Sequence, residues 1–156
     1  MKQITINKWV IEYDEQRTND FYKSHYLITE GCSCLNCKNF VKAVEVMPEG
    51  IISFLKKLGI DPRKGEVSAF CENEDDTHLY GGFYHIVGKL ISGPDCWIKT
   101  VENELTHAVL DSEMYEVDGI IFGFTYGVSL LPTNFPEPAL QIEFQGNIPW
   151  VLSEKP

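Results

Sequence analysis

The chain carries the stretch Gly31-Cys32-Ser33-Cys34-Leu35-Asn36-Cys37-Lys38-Asn39-Phe40, in which three of its five cysteines fall within six residues. From Cys37 onward, apolar residues recur at the spacing i, i+3, i+4, i+7 and i+10, which predicts one buried face of an α-helix. The residues on that face are Cys37, Phe40, Val41, Val44 and Met47. The stretch therefore predicts a cysteine corner that leads directly into a helix.

A second helix is predicted immediately after the first. Pro48 ends the first helix and suits the first turn of the next, and Gly59 suits the C-terminal cap. A turn is expected over residues 61–65, where Asp, Pro and Gly cluster. The apolar residues that repeat the helical spacing in the second helix are Ile51, Phe54, Leu55 and Leu58.

Strand patterns dominate the rest of the chain. Alternation at residues 4–13 slips at Asn7-Lys8, which indicates one bulged strand or two short ones. Segment 14–24 is polar and is predicted to be a loop. Segment 105–118 fits helix and strand equally well. Further strands are predicted over 25–29, 67–71, 80–91 and 96–101, with an acidic loop over 72–77.

Two segments near the C-terminus show strict alternation. Residues 120–131 place large side chains on one face and mostly small ones on the other, which predicts a central strand whose small face is closely approached. Residues 140–145 alternate apolar side chains with Gln and Glu, which predicts one solvated face. Gly146-Asn147 then predicts a hairpin turn, and residues 148–152 an edge strand that tolerates Pro149.

This order of elements predicts an α+β fold, with two helices near the N-terminal third packed on a mainly antiparallel β-sheet. The length of 156 residues suits one domain over residues 1–156. Hydrophobic residues make up 44% and charged residues 23%, which is typical of a globular protein.

The chain is strongly acidic. It has 13 Lys and Arg against 23 Asp and Glu, giving 13 − 23 = −10. That charge repels nucleic acid and anionic membranes and favours cations or a basic protein as partner. The alternative interpretation is that the charge serves solubility alone. The N-terminus lacks the apolar run of a signal peptide. The longest apolar-looking run, 120–131, is shorter than the ~18 residues of a membrane helix. We therefore expect a cytoplasmic protein.

Clustered cysteines in a reducing compartment indicate a metal site or thiol chemistry, and an odd number of them argues against a disulfide framework. Zinc takes four ligands at a Zn–S distance of ~2.3 Å. Thiolates at Cys32, Cys34 and Cys37 have a spacing that lets them converge on one ion near a helix N-terminus. We expect His85 as the fourth ligand, because it follows a glycine pair that permits close backbone approach. The other candidates are Cys71, His78, Cys96 and His25.

Three functions remain open on the sequence. The first is a non-enzymatic binding domain with a zinc or reduced-thiol corner. The second is an acidic immunity or antitoxin-like module that binds a basic protein. The third is a thiol enzyme that uses Cys34 or Cys37, since a C-x2-C pair at a helix start favours the thiolate. An iron–sulfur cluster needs a fourth cysteine from far along the chain. The sequence motifs of the common hydrolases and nucleotide-binding enzymes are missing.

Four segments in this order resemble a group of uncharacterised bacterial proteins of similar length, mostly from Firmicutes. The segments are Cys32-x-Cys34-x2-Cys37-x-Asn39-Phe40, Leu58-Gly59-Ile60-Asp61, Tyr80-Gly81-Gly82-Phe83-Tyr84-His85-x2-Gly88 and Ile148-Pro149-Trp150. The resemblance spans nearly the whole chain. It implies a single bacterial cytoplasmic domain and carries over no catalytic residue.

Overall fold

The computed structural model describes residues 1–156 and contains helices mainly in the first third of the chain and strands mainly after it. The helices are α1 (Glu15–Ser24), α2 (Ile28–Gly31), α3 (Leu35–Ala43) and α4 (Glu49–Lys57), with a 3₁₀ turn at Val44–Val46. The strands are β1 (Lys2–Ile6), β2 (Trp9–Tyr13), β3 (Glu66–Glu72), β4 (Thr77–Ser92), β5 (Trp97–Glu102), β6 (Leu105–Leu110), β7 (Tyr115–Val117), β8 (Ile120–Thr125) and β9 (Ala139–Pro149). The predicted α+β fold is confirmed.

Seven strands form one sheet in the order β1-β2-β4-β9-β8-β7, and β3 also pairs with β4. Every pairing in this sheet is antiparallel. At its centre, β4 and β9 pair without interruption from Thr77↔Pro149 to Val87↔Ala139. Side chains therefore alternate along β4, so that Tyr80 and Tyr84 face one side and His85 faces the other. β5 and β6 form a separate two-stranded sheet.

The two predicted helices, α3 and α4, are confirmed and cover the side of the sheet to which Tyr80 points. Phe40 of α3 packs on Tyr80 and on Phe144 of β9, with ring centroids 5.5 and 5.8 Å apart. Pro48 lies immediately before α4. Gly59 follows α4 with a φ of 85°, the left-handed conformation that ends many helices.

The polar segment 14–24 was expected to be a loop, and that prediction is wrong because α1 occupies it. α1 buries hydroxyl groups where most helices bury alkyl groups. The Tyr22 hydroxyl donates to the His85 carbonyl at 2.8 Å and accepts from the His85 N–H at 3.0 Å. The Thr18 hydroxyl accepts from the Val87 N–H at 2.9 Å. The spacing of hydrophobic residues does not predict α1, because hydroxyl hydrogen bonds to the backbone of β4 attach this helix to the sheet.

These bonds fill a gap along one edge of β4. β3 pairs with β4 over residues 78–83, and β2 pairs with it over residues 88–92. The backbone between those stretches has no neighbouring strand on that edge, and buried N–H and C=O groups need partners. The hydroxyls of α1 and the Asp14 N–H, which donates to the Val87 carbonyl at 2.8 Å, supply these partners. They fix the helix at this edge of the sheet.

The N-terminal alternation resolves into two strands, β1 and β2, joined through Asn7, which has a φ of 55°. Segment 25–29 is not a strand, because its last residues begin α2. There the Glu30 carboxylate accepts from the Leu27 N–H at 2.9 Å and closes the first turn. The ambiguous segment 105–118 contains β6 and β7.

The predicted hairpin turn at Gly146-Asn147 is wrong, because β9 continues through both residues to Pro149. Gly146 serves a different purpose. A Cβ atom on it would lie 2.7 Å from Cδ1 of Ile120, so glycine lets β8 pass close to β9. Residues 148–152 consequently do not form a separate edge strand, and Ile148 lies in the core.

The predicted solvated face of 140–145 is also wrong. Gln141 and Glu143 are only 2% and 5% exposed. The Trp97 indole N–H donates to the Glu143 carboxylate at 3.1 Å, and the Ser129 N–H donates to Oε1 of Gln141 at 2.6 Å. The start of β5 and the loop after β8 therefore cover these polar side chains.

The close approach predicted for the small face of β8 is confirmed. A Cβ atom on Gly123 would lie 2.7 Å from both Cβ of Cys96 and Sδ of Met114. The strand itself is shorter than predicted and ends at Thr125.

Candidate metal centre

The structure brings Cys32, Cys34 and Cys37 together. Their three sulfur atoms all lie within 4.8 Å of one another, and the Cys32 thiol donates to Sγ of Cys34 at 3.3 Å. In a tetrahedral site with metal–sulfur distances of ~2.3 Å, two sulfur ligands are ~3.8 Å apart. The observed separations bracket that value. Small side-chain rotations therefore allow the three thiols to hold one metal ion.

Local helix geometry produces this convergence. Cys32 follows α2 directly, and its N–H donates to the Ile28 carbonyl at 3.0 Å. Cys34 is the N-cap residue of α3, with extended backbone angles, and its sulfur accepts from the Cys37 N–H at 3.4 Å. Cys37 lies in the first turn of α3 and is buried. A helix N-terminus favours negative charge, which suits thiolates at these positions.

The two cysteines of α3 differ in acidity. The Cys37 N–H donates to the Cys34 sulfur and thereby lowers the pKa of the exposed Cys34 thiol. The hydrogen bond from the Cys32 thiol adds to this effect. Burial raises the pKa of the Cys37 thiol well above its ordinary value, as does its proximity to Cys32 and Cys34. Without a metal, Cys34 therefore ionises first and Cys37 keeps its proton. A bound cation would displace that proton, because thiolate is the ligand form.

Side chains of α3 and β4 fix the first turn that carries the cysteines. Asn39 is 0% exposed. Its Nδ2 donates to the Pro149 carbonyl at 3.1 Å, and its Oδ1 accepts from the Val151 N–H at 2.7 Å. The Tyr80 hydroxyl donates to the Asn36 carbonyl at 2.8 Å and accepts from Nδ2 of Asn39 at 3.3 Å. The sequence analysis missed this support, although a polar residue beside Phe40 on the buried face of a helix is a readable signal.

The structure does not bring His85 to the three sulfur atoms. His85 lies on the side of β4 opposite to Tyr80 and therefore opposite to α3. Its Nε2 lies 3.2 Å from Oε1 of Gln141, and its ring packs edge-on against Phe135. Burial lowers the pKa of the His85 imidazole.

The other candidate ligands also lie outside the three-sulfur group. Cys71 is exposed on β3, and burial raises the pKa of the Cys96 thiol to about 12. The His25 ring lies against two neighbouring aromatic rings. His78 is buried against Trp150, and both of its ring nitrogens lack a hydrogen-bond partner. The candidate metal-binding group therefore consists of three cysteines.

Comparison with known proteins gives no match to this chain among family models, curated proteins or solved structures. The resemblance to a bacterial family stays a prediction. No helix of the protein is both long enough and apolar enough to cross a membrane. Function is therefore inferred from the geometry of the cysteine corner itself.

Proposed function

We propose that the corner formed by Cys32, Cys34 and Cys37 binds one zinc ion and that the protein is a binding domain stabilised by this ion. The observation that carries the proposal is the convergence of three sulfur atoms within 4.8 Å. Thiolates are soft ligands that suit zinc, whereas magnesium and calcium require oxygen ligands.

The zinc ion would join two helix ends. Cys32 follows α2, and the other two thiols lie at the start of α3. α2 has only four residues, which is too short to be stable without tertiary contacts. A metal bridge across the bend supplies such a contact, and it forms only in the folded state because the unfolded chain has no preformed site. The free energy of metal binding then becomes free energy of folding.

Solvent would occupy the fourth coordination position. The group contains no fourth His, Cys, Asp or Glu, and Cys34 is exposed. Three protein ligands with one solvent ligand is the coordination of catalytic zinc sites, whereas structural sites usually have four protein ligands. With solvent as the fourth ligand, neither His85 nor His78 is needed to bind the ion. Each of them can therefore be substituted as a control.

The direct test is titration of the reduced, metal-free protein with Co²⁺, which takes zinc sites and reports thiolate ligands by charge-transfer absorption. We expect saturation at one equivalent, displacement by zinc, and protection of the exposed Cys34 thiol from alkylation. Cys34→Ser and Cys37→Ser should each abolish tight binding. Cys71→Ser, His78→Gln and His85→Gln should bind as the unaltered protein does. Absence of the thiolate band, or its persistence in Cys37→Ser, contradicts the proposal.

A second candidate function is thiol oxidation, which is favoured by the 3.3 Å separation of the Cys32 and Cys34 sulfur atoms and the lowered pKa of Cys34. The Cys34 thiolate would attack a hydroperoxide oxygen. The O–O bond breaks, the leaving oxygen takes a proton and departs as alcohol or water, and Cys34 becomes a sulfenic acid. Cys32 then attacks the Cys34 sulfur, water leaves, and a disulfide forms. Two thiols lose two electrons and the hydroperoxide gains them.

The pH dependence of alkylation separates these functions. A Cys34 thiol used in this way should react with iodoacetamide at a rate that is already half-maximal below pH ~8.5, the pKa of free cysteine. Zinc should suppress the reaction if the same thiols hold the ion. If the alkylation rate rises only above pH ~8.5, the thiol-enzyme function is excluded. That result does not bear on the zinc proposal.

A further inference from the structure

β5 and β6 form a hairpin arm, residues 97–110, whose strands pair only with each other. Ten of the twelve strand residues are exposed, because neither face of the arm is covered. Asn103 and Glu104 at its tip have φ values of 52° and 65°, as a tight two-residue turn requires. A two-stranded hairpin alone is only marginally stable in water. A partner that covers the arm would therefore add stability to it.

The base of the arm is anchored to the body of the protein. The Trp97 indole N–H donates to Glu143 at 3.1 Å, and the Trp97 backbone N–H donates to Oδ1 of Asp95 at 2.9 Å. The Asp111 N–H donates to the Cys96 carbonyl at 2.8 Å. These bonds fix the direction of the arm, so its edges are presented in a defined position.

Apolar side chains are exposed on both faces of the arm. Ile98 and Val109 lie opposite each other on one face, and Val101 lies on the other. Val101 and Leu105 are 73% and 71% exposed. Exposed apolar groups concentrated on an otherwise polar surface indicate an interaction site.

Both edges of the arm carry unpaired backbone groups. The bond from the Asp111 N–H to the Cys96 carbonyl identifies these two as a hydrogen-bonded pair of the antiparallel ladder. Pairs alternate along such a ladder, so every second residue directs its N–H and C=O outward. The residues with outward-facing groups are Lys99 and Val101 on β5 and Thr106 and Ala108 on β6. An extended peptide pairs with a row of this kind.

The charge of the arm and of the whole chain favours a basic partner. The arm, residues 97–110, contains two carboxylates and one lysine, giving 1 − 2 = −1, on a chain whose net charge is −10. Two copies of this acidic arm, on chains that each carry −10, would repel one another. A basic segment would be attracted. Lys99 disfavours a basic strand on the β5 edge, whereas the β6 edge presents Thr106 and Ala108, which are small and uncharged.

We propose that the arm binds an extended, basic segment of another protein, which adds as a third strand along β6. Backbone bonds form at Thr106 and Ala108. β-branched side chains of the segment lie on the face of Thr106 and Ala108, and its Lys or Arg residues lie on the opposite face, which carries Glu102. This inference does not rest on the zinc site, so metal-free protein should bind equally well.

The test uses a phage-displayed library of random twelve-residue peptides, selected on the whole protein. We expect enriched peptides in which Lys or Arg alternates with Val, Ile or Thr, and in which the central residues are not proline. In NMR spectra of the complex, the amides of Thr106 and Ala108 should gain protection from hydrogen exchange. Affinity should fall at least tenfold between 50 and 500 mM salt, both conditions of the assay, because opposite charges are screened.

Ala108→Pro and Lys99→Pro form a matched pair. Each removes one outward N–H and leaves the pairing of β5 with β6 intact. Ala108→Pro should weaken binding at least tenfold, and Lys99→Pro should leave it within threefold. Glu104→Lys, at the exposed tip, should weaken binding without altering the fold. Equal binding by Ala108→Pro overturns the proposal, as do enriched peptides without basic residues, a failure to enrich any peptide, or dimerisation of the protein through the arm.

Discussion

Replacing Asn39 by alanine should destabilise the protein by about 3 kcal/mol, because this side chain joins α3 to the end of β9. Alanine leaves the Pro149 carbonyl and the Val151 N–H without their partners. A buried group that loses its partner costs about 1–3 kcal/mol, so two such groups cost about 2–4 kcal/mol once partial access to water is included. Tyr80 keeps its bond to the Asn36 carbonyl and adds little. For a chain of this length, about 3 kcal/mol lowers the melting temperature by about 9 °C.

The measurement is urea unfolding of metal-free protein in chelator, followed by circular dichroism, with calorimetry for the melting temperature. Lys38→Ala is the matched control, since Lys38 is the preceding residue of α3 and is exposed. It should change the free energy of unfolding by less than about 0.5 kcal/mol. Asn39→Asp keeps an acceptor for Val151 but loses both donor bonds, so it should also destabilise. If Asn39→Ala and Lys38→Ala unfold alike, the hydrogen bonds of Asn39 do not hold α3 in place.

Three further changes probe the sheet. Tyr22→Phe leaves both backbone groups of His85 unpaired and should cost about 2–4 kcal/mol in urea unfolding; a cost below about 1 kcal/mol contradicts the role of the hydroxyl. Gly123→Ala forces its Cβ against Cys96 and should cost about 1–3 kcal/mol, measured in the same way, so a neutral result refutes close packing there. Burial raises the pKa of the Glu143 carboxyl above its ordinary 4.5, so the folded state binds the carboxyl proton more tightly than the unfolded state does. The free energy of unfolding therefore falls as the pH rises from 4.5 through the raised pKa. Glu143→Gln should therefore raise the melting temperature at pH 7 and lose this advantage below pH 4.5; an equal effect at both pH values rules out the charge as the cause.

The sequence predicted those elements whose burial is apolar. α3 and α4 present continuous stripes of aliphatic and aromatic residues, and their spacing alone identifies them. α1 was missed because Thr18 and Tyr22 face the core through hydroxyl groups that complete the edge of β4. Single-residue polarity cannot distinguish such a helix from a surface loop, since the deciding partner is a backbone some sixty residues away.

The errors in β9 have a similar origin. Gly146 suits a turn locally, but the close passage of Ile120 is what requires glycine there. Gln141 and Glu143 alternate with apolar residues as in a strand with one face in water. Their burial depends on Trp97 and on the loop after β8, which lie far away in sequence. The local pattern therefore predicts the strand correctly, but it cannot predict which distant residues cover that strand.

The candidate site was predicted in its local part only. Cys32, Cys34 and Cys37 converge because they lie at the end of α2, at the N-cap of α3 and in the first turn of α3. His85 was chosen because the preceding glycine pair permits close backbone approach, yet strand alternation turns it away from α3. The sequence shows that His85 and Tyr80 point to opposite faces of one strand. It does not show which face of the sheet the helices cover.

The metal content of untagged protein, purified under reducing conditions and measured by elemental mass spectrometry, tests the zinc site most directly. Parallel preparations of Cys37→Ser and Cys71→Ser provide the comparison. One zinc per chain in the unaltered protein and in Cys71→Ser, with none in Cys37→Ser, is the predicted result. Metal-free protein, or equal zinc in all three preparations, would contradict a zinc ion at Cys32, Cys34 and Cys37.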